Sequence, residues 1–87
     1  MDWVVGVTTA PRKDPQLAAC LKSLIVNGWK PIVFAEPGTD VQIAKTLNVQ
    51  VIQWKEKKGC WHNWLAMSKE LLKNFPDADA ILTVQDD

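Results

Sequence analysis

The chain has 87 residues, 47% of them hydrophobic and 23% charged, with ten basic and ten acidic side chains and a formal net charge of zero. That length holds a single domain, and a chain this small buries only roughly 60–65% of the surface its unfolded form exposes, so its margin of stability is thin. The neutral balance excludes a polybasic surface for nucleic acid or lipid, and no run approaches the ~20 apolar residues of a membrane-spanning helix.

The opening stretch "MDWVVGV" carries an acid where a secretory leader has its basic region, and its apolar run is too short for one. Trp3 to Thr9, "WVVGVTT", is instead a near-continuous β-branched run, as in a strand buried on both faces. After the loop "APRKD", Asp14 and Pro15 read as an N-cap followed by a proline at the first helical position. Leu17, Cys20, Leu21, Leu24 and Ile25 then recur at helical spacing, and Asn27-Gly28 stops the helix.

Pro31 to Ala35, "PIVFA", is a second buried strand. The cluster "EPGTD" turns the chain, and Thr39 with Gln42 fits a capping box opening a short helix whose apolar side is Ile43, Ala44 and Leu47. Asn48 suits the left-handed residue that ends it. Val49 to Trp54 is a third strand. Lys55-Glu56-Lys57-Lys58 reads as a solvated loop. The longest helix is expected over Cys60 to Phe75, with Trp61, Trp64, Leu65, Ser68, Leu71, Leu72 and Phe75 on its buried face. "PDAD" breaks it, and Ala80 to Val84 is the fourth strand.

The order βαβαβαβ predicts an α/β fold in three layers, α-β-α, over residues 1–87. The four-stranded sheet is mostly parallel, in the order 3-2-1-4, which is half of a doubly wound, Rossmann-like nucleotide-binding fold. The first two helices should cover one face and the third the other. Strand four is then an open edge, and a half-bare apolar face on so small a domain predicts self-association or a further partner. Cys20 and Cys60 show no CxxC spacing, which points to a reducing, cytoplasmic setting.

In open α/β sheets ligands bind beyond the carboxyl ends of the strands, where the strand order reverses. Here that crevice lies between strands one and four. It is flanked by Thr8, Thr9, Ala10, Pro11 and Arg12 on one side and by Gln85, Asp86 and Asp87 on the other. Asp86 and Asp87 offer hard oxygen donors suited to Mg²⁺ or Mn²⁺ holding a diphosphate. Arg12 offers a guanidinium fork for phosphate oxygens. Glu36, at the end of strand two, stands where an acid commonly accepts hydrogen bonds from a ribose or a base. Asn63 lies in the first turn of the third helix, whose N-terminus favours an anion. Neither GxGxxG nor GxxxxGK[ST] is present, so dinucleotide and P-loop readings lack their phosphate cradle. The spacing Cys60-x-His62, with no second histidine, reads as structural.

Taken in order, "VVGVTTAPR", "PIVFAEPGTD", "GCWHNWLAMSKELL" and "AILTVQDD" resemble the first half of a GT-A-type glycosyltransferase. The family in question is the large inverting one that includes cellulose- and chitin-synthase-like enzymes. The resemblance implies a nucleotide-sugar site of the UDP or GDP type. Thr8 to Arg12 would form the nucleotide loop, Glu36 would be a base or ribose contact, and Gly59 and Asn63 would belong to the glycine-led helix. Gln85 would also belong to the donor site, with Asp86 and Asp87 as ligands of Mg²⁺ or Mn²⁺. Gln85 stands where the family often has an aspartate, Pro37 replaces an acid, and Trp64 and Ala66 replace the usual basic and small residues of the helix. The resemblance further implies a second half with the acceptor site and general base. Without that half the chain is expected to bind Mg²⁺ or Mn²⁺ weakly or not at all and to lack transferase activity, as if truncated at its DxD-like motif. Two other readings are a non-catalytic α/β binding or assembly module and a receiver-like domain. The second would need an acid pair after strand one, which "GVTTAPR" does not have.

Overall fold

A computed structural model describes residues 3–11 and 16–85. The elements follow the order β1 (Trp3–Thr9), α1 (Leu17–Val26), β2 (Pro31–Ala35), α2 (Gln42–Thr46), β3 (Gln50–Gln53), α3 (Gly59–Asn74) and β4 (Ala80–Gln85). The four strands form one parallel sheet in the order β3-β2-β1-β4, as the alternation of strands and helices predicts. Gly6 sits in register with Ile32 of β2 and Thr83 of β4, so β1 is paired on both sides.

Strand periodicity sorts the side chains into two cores. On one face Val7, Val33 and Ala35 pack with Leu17 and Leu21 of α1 and with Val41 and Ala44 from the second crossover. On the other face Ile32 and Phe34 pack with Met67 and Leu71 of α3. Residues i and i+2 of a strand share a face, which is why Val33 and Phe34 belong to different clusters. Cys20 packs half-buried against the first core, as its helical position predicts.

Both short crossovers end in Schellman motifs. Gly28 at φ 87° donates its N–H to the Ile25 carbonyl, and Trp29 donates to Leu24. Asn48 at φ 64° repeats the pattern, with its own N–H to Lys45 and that of Val49 to Ala44. The expected Asp14–Pro15 helix start lies outside the described residues.

Two expectations are corrected. The capping box at α2 does not form: the Thr39 hydroxyl donates to the Glu36 carbonyl at 2.7 Å, and the Asp40 carboxylate accepts the Gln42 N–H at 3.0 Å. Asp40 lies two residues before Gln42 and makes the tighter local turn, which leaves Thr39 to close the loop after β2.

The buried stripe of α3 is also rotated from the one expected. Asn63, Met67 and Leu71 are the buried positions, whereas Trp61 is 64% exposed, Leu72 61% and Phe75 39%. The cause lies in β1. A β-carbon on Gly6 would stand 2.6 Å from the Met67 sulfur and 2.8 Å from a Leu71 methyl. The helix therefore sits down on the bare backbone of Gly6, and the residues that meet it there define its inner face.

β4 pairs with β1 alone among the described residues. Its residues from Ala80 to Val84 are all half-buried, where those of β2 are buried throughout.

Candidate functional site

The carboxyl ends of β1, β2 and β3 share one rim with the N-terminus of α3. Glu36, the residue after β2, organises it. The Glu36 N–H donates to the Thr9 carbonyl at 3.0 Å, which extends the β1–β2 ladder by one step. Its carbonyl accepts the Thr39 N–H, the Thr39 hydroxyl and the Gln53 side-chain amide, joining the loop after β2 to the end of β3.

The Glu36 side chain is buried, at 4% exposure, and it points at the start of α3. One carboxylate oxygen accepts the Gly59 N–H at 2.8 Å and the Lys58 N–H at 2.9 Å, and the other lies 3.1 Å from the Lys58 nitrogen. Helix N-termini leave several N–H groups without intrahelical partners and carry partial positive charge, and both are answered here by a carboxylate from another element. No side chain within α3 performs this cap. Gly59, at φ 77°, bends the chain so that two successive N–H groups converge on the acid.

Asn63, one turn further along, is 2% exposed. Its side-chain oxygen accepts the Trp54 indole N–H at 2.8 Å, and its amide donates to the Phe34 carbonyl at 3.3 Å. Trp54 in turn lies 5.9 Å from the Phe34 ring, and the Lys58 ammonium sits 4.9 Å from the Trp54 ring centroid. Asn63 thus fastens α3 to the ends of β2 and β3.

These placements sort the sequence-derived residues. Thr8 and Thr9 are buried at the end of β1, Ala10 is half-buried and Pro11 is exposed. Gln85 is in register with Thr8, so the end of β4 meets the end of β1 at the point where strand order reverses. Glu36, Gly59 and Asn63 are brought together, but by bonds to each other's elements. Arg12, Asp86 and Asp87 lie outside the described residues, and among those that are described no group of three His, Cys, Asp or Glu side chains is arranged to hold a metal.

Hollows open along the rim. One of about 350 Å³ is lined by Ala10, Pro11, Glu36, Pro37 and Lys57. A smaller one of about 160 Å³ adjoins it, sharing Ala10 and Pro11 and adding Gly38, Thr39 and Asp40. Because the Glu36 carboxylate is engaged with backbone N–H groups, Lys57 is the cation that the larger hollow presents among its described lining residues. Lys57 is exposed, as expected of a solvated loop. The signal that it borders the site is its position in the loop between β3 and α3, since the carboxyl end of β3 shares the rim.

No protein-family model matches the chain, and neither a curated protein nor a solved structure matches it.

Proposed function

We propose that the chain is the nucleotide-sugar-binding part of a GT-A-type, metal-dependent glycosyltransferase. The observation that carries this reading is the hollow of about 350 Å³ at the carboxyl ends of β1 and β2, bordered by Lys57, on the β2 side of β1 and on the same rim as the reversal of strand order between β1 and β4. Open α/β sheets take their ligands beyond the carboxyl ends of their strands, and an ammonium there favours a diphosphate. The ordered likeness of four segments to that family supports the same reading.

In this account Thr8, Thr9, Ala10 and Pro11 form the floor of the nucleotide site, and Lys57 and Arg12 oppose phosphate charge. Gln85 borders the donor, and Asp86 and Asp87 hold Mg²⁺ or Mn²⁺, whose role when bound is to offset the charge of the nucleoside-diphosphate leaving group. Glu36, Gly59 and Asn63 act as positioning residues: they hold the loop after β2 against α3, and so shape one wall of the hollow.

A second reading, a non-catalytic α/β binding or assembly module, is favoured by the engagement of Glu36 and Asn63 with the protein's own backbone. Self-association through the half-buried edge strand β4 belongs to that reading.

Isothermal titration of UDP and GDP, each with and without Mn²⁺, separates the two. The transferase reading predicts metal-dependent binding that is lost in Asp86→Ala and Asp87→Ala. Absence of binding under all four conditions supports the module.

A further inference from the structure

A separate hollow lies at the opposite end of the sheet. It measures about 470 Å³, and Trp3, Asn74, Phe75, Pro76 and Asp77 line it. Trp3 is in register with Ala80, the first residue of β4, so this hollow opens at the amino ends of the strands, away from the nucleotide rim. Its volume falls within the range of roughly 300–1,000 Å³ usual for small-molecule sites.

Three features of its wall share one electrostatic sense. Trp3 and Phe75 are aromatic residues left 44% and 39% exposed, and an accessible indole or phenyl face attracts a cation. Asp77 contributes a carboxylate, and no basic side chain is among the described lining residues. Asn74 and Phe75 are the last residue and the C-cap of α3, a helix of 16 residues whose C-terminal end carries partial negative charge; Lys73 lies in the same last turn but does not line the hollow. The Asn74 amide also donates to the Glu70 carboxylate at 3.3 Å, placing a second acid one turn back.

We propose that this hollow is a binding site for a small organic cation of the alkylated-ammonium class. Such a group presents apolar methyl surface to Trp3, Phe75 and Pro76 while its charge faces Asp77 and the end of α3. An inorganic cation would leave the aromatic wall without a partner, and a neutral apolar ligand would leave the negative end without one.

The test is a titration of choline chloride into the full chain, followed by two-dimensional NMR, with sodium chloride at matched ionic strength as reference. A parallel titration uses the uncharged isostere in which carbon replaces nitrogen. The expected result is saturable shifts of the Trp3 indole and of the Asn74, Phe75, Asp77 and Ala78 amides. Binding should be weaker by about threefold or more for the isostere and for Asp77→Asn, the scale of one exposed charge or cation–π contact. Asp77 is exposed, so the variant leaves the fold intact. Non-saturating shifts, equal binding of the isostere, or unchanged binding by Asp77→Asn would overturn the proposal.

Discussion

The Glu36 carboxylate and the Gly59 N–H are joined by a 2.8 Å hydrogen bond that runs from the end of β2 to the first turn of α3. With the two contacts to Lys58, this one side chain closes the N-terminus of the longest helix onto the centre of the sheet. Replacing Glu36 with Ala leaves two N–H groups without their acceptor, and hydrogen bonds to a charged group contribute roughly 1.5–3 kcal/mol each. A loss of about 3 kcal/mol is expected for Ala, and about half that for Gln, which keeps one oxygen acceptor. On a chain of this size 1 kcal/mol moves the melting temperature by roughly 4–8 °C, so Glu36→Ala should melt more than about 10 °C lower. A melting temperature unchanged by either variant would remove Glu36 as the clamp.

Gly59 answers to the same geometry from the other side. Its φ of 77° is costly for any residue with a β-carbon, although nothing lies within 4 Å of where that carbon would be. Gly59→Ala should therefore cost about 1–2 kcal/mol through backbone conformation alone. Urea unfolding measures it. A loss well below that range would mean the turn relaxes without the left-handed conformation.

At Gly6 the problem is space. A methyl there meets Met67 and Leu71, which are 0% and 1% exposed and have little room to withdraw. Gly6→Ala is expected to destabilise by about 1–3 kcal/mol, as overpacking of a core does. Combining it with Met67→Ala should recover part of that loss, because the sulfur that blocks the methyl is gone. Strict additivity of the two substitutions in a double-mutant cycle would contradict the contact.

Asn63→Leu keeps the number and branching of side-chain heavy atoms, in a bulkier form, but removes the acceptor for the Trp54 indole and the donor to the Phe34 carbonyl. Buried groups left without partners cost about 1–3 kcal/mol, and Trp54 would lose its fixed position against Phe34. Thermal unfolding gives the first quantity and near-ultraviolet circular dichroism reports the second. A variant as stable as the parent, with the same aromatic spectrum, would assign Asn63 a role outside the packing.

What the sequence made legible was local. The strand runs, the stops at Gly28 and Asn48 and the sheet order all follow from periodicity, turn chemistry and the handedness of crossovers. What it hid was non-local. The rotation of α3 depends on a missing side chain at Gly6, so Trp61 and Leu72, apolar and at helical spacing, looked like core and are exposed. Trp61 instead stacks on Trp64 with centroids 5.2 Å apart, a contact that needs no burial. At the candidate site, Glu36 was legible as an acid at the end of a strand. Its partners lie 22 and 23 residues along the chain, and no local pattern announces them. Lys57 is exposed, as the charge run predicts, but such a run carries no record of which hollow it borders.

The most direct measurement is a two-dimensional NMR titration of the isotopically labelled chain with UDP and GDP in the presence of Mg²⁺. The account predicts saturable shifts at the amides of Thr9, Ala10, Gly38, Lys57 and Gln85, the residues that border the rim hollows and the reversal of strand order. Shifts that are absent there, or confined to the opposite end around Trp3 and Asn74 to Ala78, would contradict a nucleotide site at the carboxyl ends of the strands.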